Sequence, residues 1–115
     1  MQPDIFENDF RVVVYLTTPE GPKFLKSLSQ KVMEFPSLHL VEGQEVEVKH
    51  KLDLHVVQDL SLLPVGSRVE IQIHIGPLTI KFIGSVTEVY IDSCSKYSNK
   101  ALMGTLKIKV LEING

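Results

Sequence analysis

The sequence predicts an α+β fold: one amphipathic helix packed on a strongly bent, mostly antiparallel sheet of five or six strands, closed or nearly closed into a β-barrel or roll. Three stretches lead there. Residues 69–82 alternate apolar and polar on both sides of Gly76-Pro77. Residues 44–57 alternate for too long to lie straight in a small domain. Residues 23–35 carry apolar side chains at three- and four-residue spacing.

The middle stretch fixes the most. A two-residue loop at Gly76-Pro77 pairs Ile75 with Leu78, Ile73 with Ile80 and Ile71 with Phe82, apolar on both sides each time. The opposite face pairs His74 with Thr79, Gln72 with Lys81 and Glu70 with Ile83. A one-residue slip would invert both faces, so the register is strongly specified.

In chain order, residues 1–8 read as a flexible arm with Ile5 and Phe6 as anchors, and residues 9–115 as a single domain. Residues 10–16 contain three consecutive valines and a tyrosine, which favour a strand. The turn cluster at residues 17–22 leads into a helix over 23–35, with Pro22 suited to its first position. Its apolar stripe is Phe24, Leu25, Leu28, Val32, Met33 and Phe35; Lys23, Lys26 and Lys31 form a solvated face, and Pro36 ends it. Residues 37–41 read as a short strand. Residues 44–57 read as one strand, with Val46, Val48, His50, Leu52, Leu54 and Val56 on its inner face. Straight, it would reach roughly 46 Å, against about 35 Å for the width of a domain this size. Bending around the sheet is the expected solution.

Residues 58–67 form a connection with more apolar side chains than a solvated loop needs: Leu60, Leu62, Leu63 and Val65. After the hairpin, inward parity changes from even (Phe82) to odd (Val89, Ile91), which calls for a bulge near Gly84 or Thr87-Glu88. A polar loop at 92–100 precedes a last strand at 102–113, with Leu106, Ile108 and Val110 inward and Thr105, Lys107 and Lys109 outward.

Composition bounds function. Twelve basic against fourteen acidic residues leave a net charge of −2, unlike a dedicated duplex binder, whose affinity comes from neutralising phosphates. One cysteine allows no internal disulfide, no run reaches the length of a membrane span, and Met1-Gln2-Pro3-Asp4 does not open a signal peptide. A cytoplasmic protein without membrane contact is the expectation. The four histidines have no metal-binding spacing within one element, and Cys94 has no histidine in its loop. Phosphate-binding and hydrolase motifs are absent. The expectation is therefore no enzyme, no cofactor and no metal.

The function expected first is a non-catalytic protein-interaction module or a small subunit, binding another protein or itself. The second is a barrel holding a small apolar ligand, with His50 as the polar group in its cavity. The third is a single-stranded nucleic-acid-binding barrel. Contacts for a partner or nucleic acid are expected at Leu60, Leu62, Leu63, Gln72, His74, Lys81, Lys107 and Lys109.

Overall fold

A computed structural model describes residues 10–34, 39–94 and 101–114. They form one seven-stranded antiparallel half-barrel with two short helices. In chain order these are β1 (Phe10–Thr18), β2 (Gly21–Phe24), α1 (Lys26–Gln30), β3 (Val32–Glu34), β4 (Glu45–Lys51), α2 (Leu54–Leu60), β5 (Arg68–Ile75), β6 (Leu78–Cys94) and β7 (Ala101–Asn114). The spatial order is β2-β1-β5-β6-β7-β4-β3. The sheet thus has more strands than the expected five or six, and the expected arm at residues 1–8 lies outside the described residues.

The β5–β6 hairpin has the expected register, from Glu70↔Ile83 to Ile75↔Leu78. The β6–β7 ladder shifts twice. Between Ile83 and Gly84 the extra residue is Leu111 on β7; between Val86 and Glu88 it is Thr87 on β6. The second shift changes inward parity on β6, and both bend the sheet. Gly84 sits at the first. A Cβ there would collide with the Ile108 side chain and stand 3.0 Å from the Lys109 carbonyl oxygen.

Two expectations are corrected. The helix over 23–35 shrinks to the five residues of α1, because tertiary pairing claims both of its ends. Thr18 donates its hydroxyl to the Gly21 carbonyl (2.6 Å), and Gly21 takes φ +117°, which closes a β1–β2 hairpin around Pro19-Glu20. Phe24 then pairs with Tyr15 as strand. Beyond α1, the Lys31 carbonyl accepts from the Lys51 N–H (2.9 Å), and Val32 pairs with His50. The strand over 44–57 neither bends nor projects: it stops at Lys51. Asp53 accepts from the Val56 N–H (2.9 Å) and caps α2, which starts at Leu54. Of the short strand expected at 37–41, residues 39–41 are not strand and the rest lies outside the described residues.

The concave face carries the core: Val12 and Val14 of β1, Val46 and Val48 of β4, Ile71 and Ile73 of β5, Phe82 of β6, and Leu106, Ile108 and Val110 of β7. Leu25 and Leu28 close it from the α1 side; Val56, Leu60 and Leu63 close it from the α2 side. Thr105 is buried although it faces outward, since Lys49 and Tyr90 flank it as its pairing partners. The loop expected at 92–100 is shorter at its start, as β6 runs to Cys94.

Candidate functional site

Among the described residues, two surfaces interrupt the half-barrel. The first is where the sheet fails to close. β2 pairs with β1 only over residues 15–18, so the edge of β1 from Phe10 to Val14 has no strand beside it among the described residues. A groove of about 660 Å³ runs there, lined by Arg11, Val13 and Tyr15 of β1, Phe24 of β2, Ser29 and Gln30 of α1, Val32 of β3, and Gln72 and His74 of β5. Tyr15 and Phe24 stack at a tilt, with ring centroids 5.8 Å apart. His74 and Gln72 are locked to their neighbours. Gln72 Nε2 donates to a Glu70 carboxylate oxygen (2.7 Å), His74 Nε2 lies 3.2 Å from Gln72 Oε1, and Thr79 Oγ1 lies 3.2 Å from His74 Nδ1.

The second surface lies where α2 meets the far end of β6. Ile91 stands opposite Gly104, and a Cβ on Gly104 would come within 2.9 Å of Leu60 and 3.5 Å of Leu52 and Val56. The missing side chain at Gly104 lets α2 settle on β7 and leaves Ile91 beyond the helix. A cleft of about 350 Å³ opens between Val57, Leu60 and Ser61 on one side and Val89, Tyr90 and Ile91 on the other. On its walls Val57 is 41% exposed and Ile91 57%; Leu54, one turn before Val57, is 68% exposed, and Leu102, two residues before Gly104, 53%. Leu54 and Val57 are three apart on one side of α2, and Leu102 shares its β7 face with Gly104. Scattered apolar exposure is ordinary, but an apolar cleft with exposed aliphatic side chains on both walls is not.

The candidate residues read from the sequence divide between these surfaces and elsewhere. Gln72 and His74 line the first groove. Leu60 floors the second, Leu63 is buried in the core and Leu62 is 40% exposed beside it in sequence. Lys81 is exposed on the convex face, opposite Gln72 and two strands away from the open edge of β1. Lys107 and Lys109 lie on the convex face of β7 among acids. Lys107 Nζ is 3.8 Å from Glu47 and 3.5 Å from Glu88, and Lys109 stands opposite Glu45. The Glu88 carboxylate, with Glu45 and Glu47 near it, holds the Lys107 ammonium above its ordinary range despite some desolvation. Glu45 also accepts from the Thr87 hydroxyl (2.7 Å). This is a mixed-charge face, not a basic stripe.

His50 is fully buried and lines neither groove. Its Nδ1 is 3.3 Å from the Gly104 carbonyl oxygen, and Nε2 has no hydrogen-bond partner among the described residues. Burial lowers its pKa to about 4, although the Gly104 and Leu28 carbonyls and the Asp59 carboxylate favour the charged ring. The neutral ring is therefore the folded form at neutral pH. Asp59 also ties the helices together, accepting from the Ser27 N–H (3.0 Å) and the Leu28 N–H (3.2 Å) at the start of α1.

Among the described residues, no three or more His, Cys, Asp or Glu side chains gather as a metal site would need. No helix among them is long and apolar enough to cross a membrane. Arg11, Tyr15, Phe24, Leu54, Val57, Ile91 and Leu102 were not identifiable as surface-forming groups from the sequence. Leu52, Val56 and Leu60, four apart behind Asp53, were the available signal for α2. Comparison with protein-family models, with curated proteins and with solved structures gives no match for this chain.

Proposed function

We propose that the chain is a non-catalytic protein-interaction module, and that the α2–β6 surface seats apolar side chains of a partner protein. The observation that carries this reading is an apolar cleft with exposed Val57 and Ile91 on its two walls, Leu54 on the Val57 side of α2 and Leu102 on the Gly104 face of β7. Leaving four large aliphatic side chains in water forgoes roughly 1.5–3 kcal/mol for each one that a partner would fully bury. A cleft at the centre of such a patch is where an anchoring side chain gains most, because it is desolvated on all sides. The patch's polar neighbours His55 and Gln58 on α2, with Ser61 just after it, would form part of the rim.

A photo-crosslinking amino acid at Val57 tests the reading. The expected result is a discrete crosslinked partner chain that disappears when Ile91 is changed to Asp, with the isolated protein still folded. Absence of any crosslinked protein, together with a monomer at every concentration in light scattering, would overturn it. A small molecule retained at the cleft in native mass spectrometry would replace it with the ligand-carrier reading.

A further inference from the structure

The open edge of β1 offers a different kind of contact from the α2 surface. In an antiparallel ladder, alternate residues direct both main-chain groups to the same neighbour. Val14 directs its groups away from β5: its N–H donates to Ser29 Oγ (2.8 Å), and its carbonyl accepts from the Leu25 N–H (2.9 Å). Leu16 and Thr18, on the same parity, face β2. Val12 shares that parity. Among the described residues no hydrogen bond reaches its outward N–H or C=O. Val12 lines the groove beside this edge, with little of its surface reaching solvent. The ladder is filled by a strand at Leu16, by a serine at Val14, and by nothing described at Val12.

The groove has a definite chemistry. Arg11 is exposed and makes no ion pair among the described residues, and no carboxylate is among the groove's lining residues. The nearby Glu70 carboxylate is already taken by Gln72. Phe24, half exposed against Tyr15, provides an aromatic wall, and Val13 and Val32 provide aliphatic surface. Backbone groups pointing into a positively charged groove with an aromatic wall suit an extended chain bearing a negative charge.

We propose that this edge receives an extended peptide segment of a partner protein, added to the sheet as a further strand. An acidic residue of the segment faces Arg11, and an aromatic or large aliphatic one packs on Tyr15 and Phe24. A second copy of this chain is a poorer fit. α1 and β2 flank the open stretch on its C-terminal side and would meet the same elements of another rigid sheet, whereas a single peptide strand passes beside them.

The test titrates the full ¹⁵N-labelled chain with the capped peptide Glu-Val-Phe-Val-Glu and with its backbone N-methylated twin. The expected result is a shift and slowed exchange at the Val12 amide, with the twin binding about tenfold more weakly. Arg11→Glu, at an exposed position, should weaken the acidic peptide by about tenfold and gain affinity for a Lys-for-Glu version. Val57→Asp should leave both unchanged, which separates this site from the α2 surface. Equal binding of the N-methylated twin, shifts confined to the α2 cleft, or no binding at millimolar peptide would each overturn the proposal. So would Val12 protection that rises with protein concentration in the absence of peptide.

Discussion

The two helices meet the same sheet by different means, and each leaves a different surface. α1 buries one side chain, Leu28, and is held mainly by hydrogen bonds: Ser29 and Leu25 to β1, and Asp59 to its first N–H groups. α2 has its own cap in Asp53, which also pairs with Lys31 at 3.4 Å, and it buries Val56 and Leu60 over Gly104. A helix docked through hydrogen bonds leaves main-chain groups of the strand beside it unpaired among the described residues. A helix docked through packing leaves aliphatic side chains at its margin. The first surface selects for conformation and charge, the second for apolar volume.

His50 lies between the two regions and should give the largest effect. Its folded pKa of about 4 is below the ordinary value of 6.5, so the unfolded chain binds the proton more readily. Its contribution is complete above pH 6.5, falls as pH drops from there, and levels off below about 4. The total loss is about 3 kcal/mol. Urea unfolding at pH 7 and pH 4 should show it, and His50→Leu should lose that component of the pH dependence while other groups still titrate. If the variant tracks the parent, the ring is not held neutral in the fold. Gly104→Val acts on one region only. The new side chain pushes into Leu60, Leu52 and Val56, with an expected cost of about 2 kcal/mol. Hydrogen exchange should accelerate along α2 and stay slow at Leu25; equal acceleration at both would show that the regions open together. Asp59→Ala reverses the test, since a residue of α2 is changed and α1 should respond. Loss of its two bonds should lower stability by about 1–2 kcal/mol and speed exchange at Ser27 and Leu28. Unchanged exchange at those two amides would remove Asp59 as the link.

The parts of the fold legible in sequence were those fixed by neighbours in sequence. Ile71, Ile73 and Ile75 against Leu78, Ile80 and Phe82 admit one register across Gly76-Pro77, and the ladder has it. The parity change between Phe82 and Val89 required a bulge, which is Thr87. Residues 23–35 misled because Phe24, Leu25, Leu28 and Val32 match a helical stripe equally well when only Leu28 is on a helix. What decides between the readings is Phe24 meeting Tyr15 and Val32 meeting His50, contacts set by the whole sheet. Residues 52–56 misled in the opposite sense, since Leu52, Leu54 and Val56 satisfy strand alternation while Asp53 supplies a cap. The surfaces were harder still. Ile91 faces α2 across a cleft beside Gly104, which admits the helix, and the groove at Arg11 opens where β2 ends at Phe24, opposite Tyr15.

The strand order has a consequence for synthesis. β5, β6 and β7 form a meander of consecutive neighbours, so their pairing closes short loops. β1 and β4 attach to its two outer strands, β5 and β7, across long stretches of intervening chain. On the ribosome the order is reversed: the two attaching strands emerge before the surfaces that receive them. Until β5 and β7 are made, β1 has only the four residues of β2 to pair with, and β4 only the three of β3. The Val12-Val13-Val14 run thus spends the early life of the chain as an unpaired strand, and folding of the first half waits on synthesis of the second.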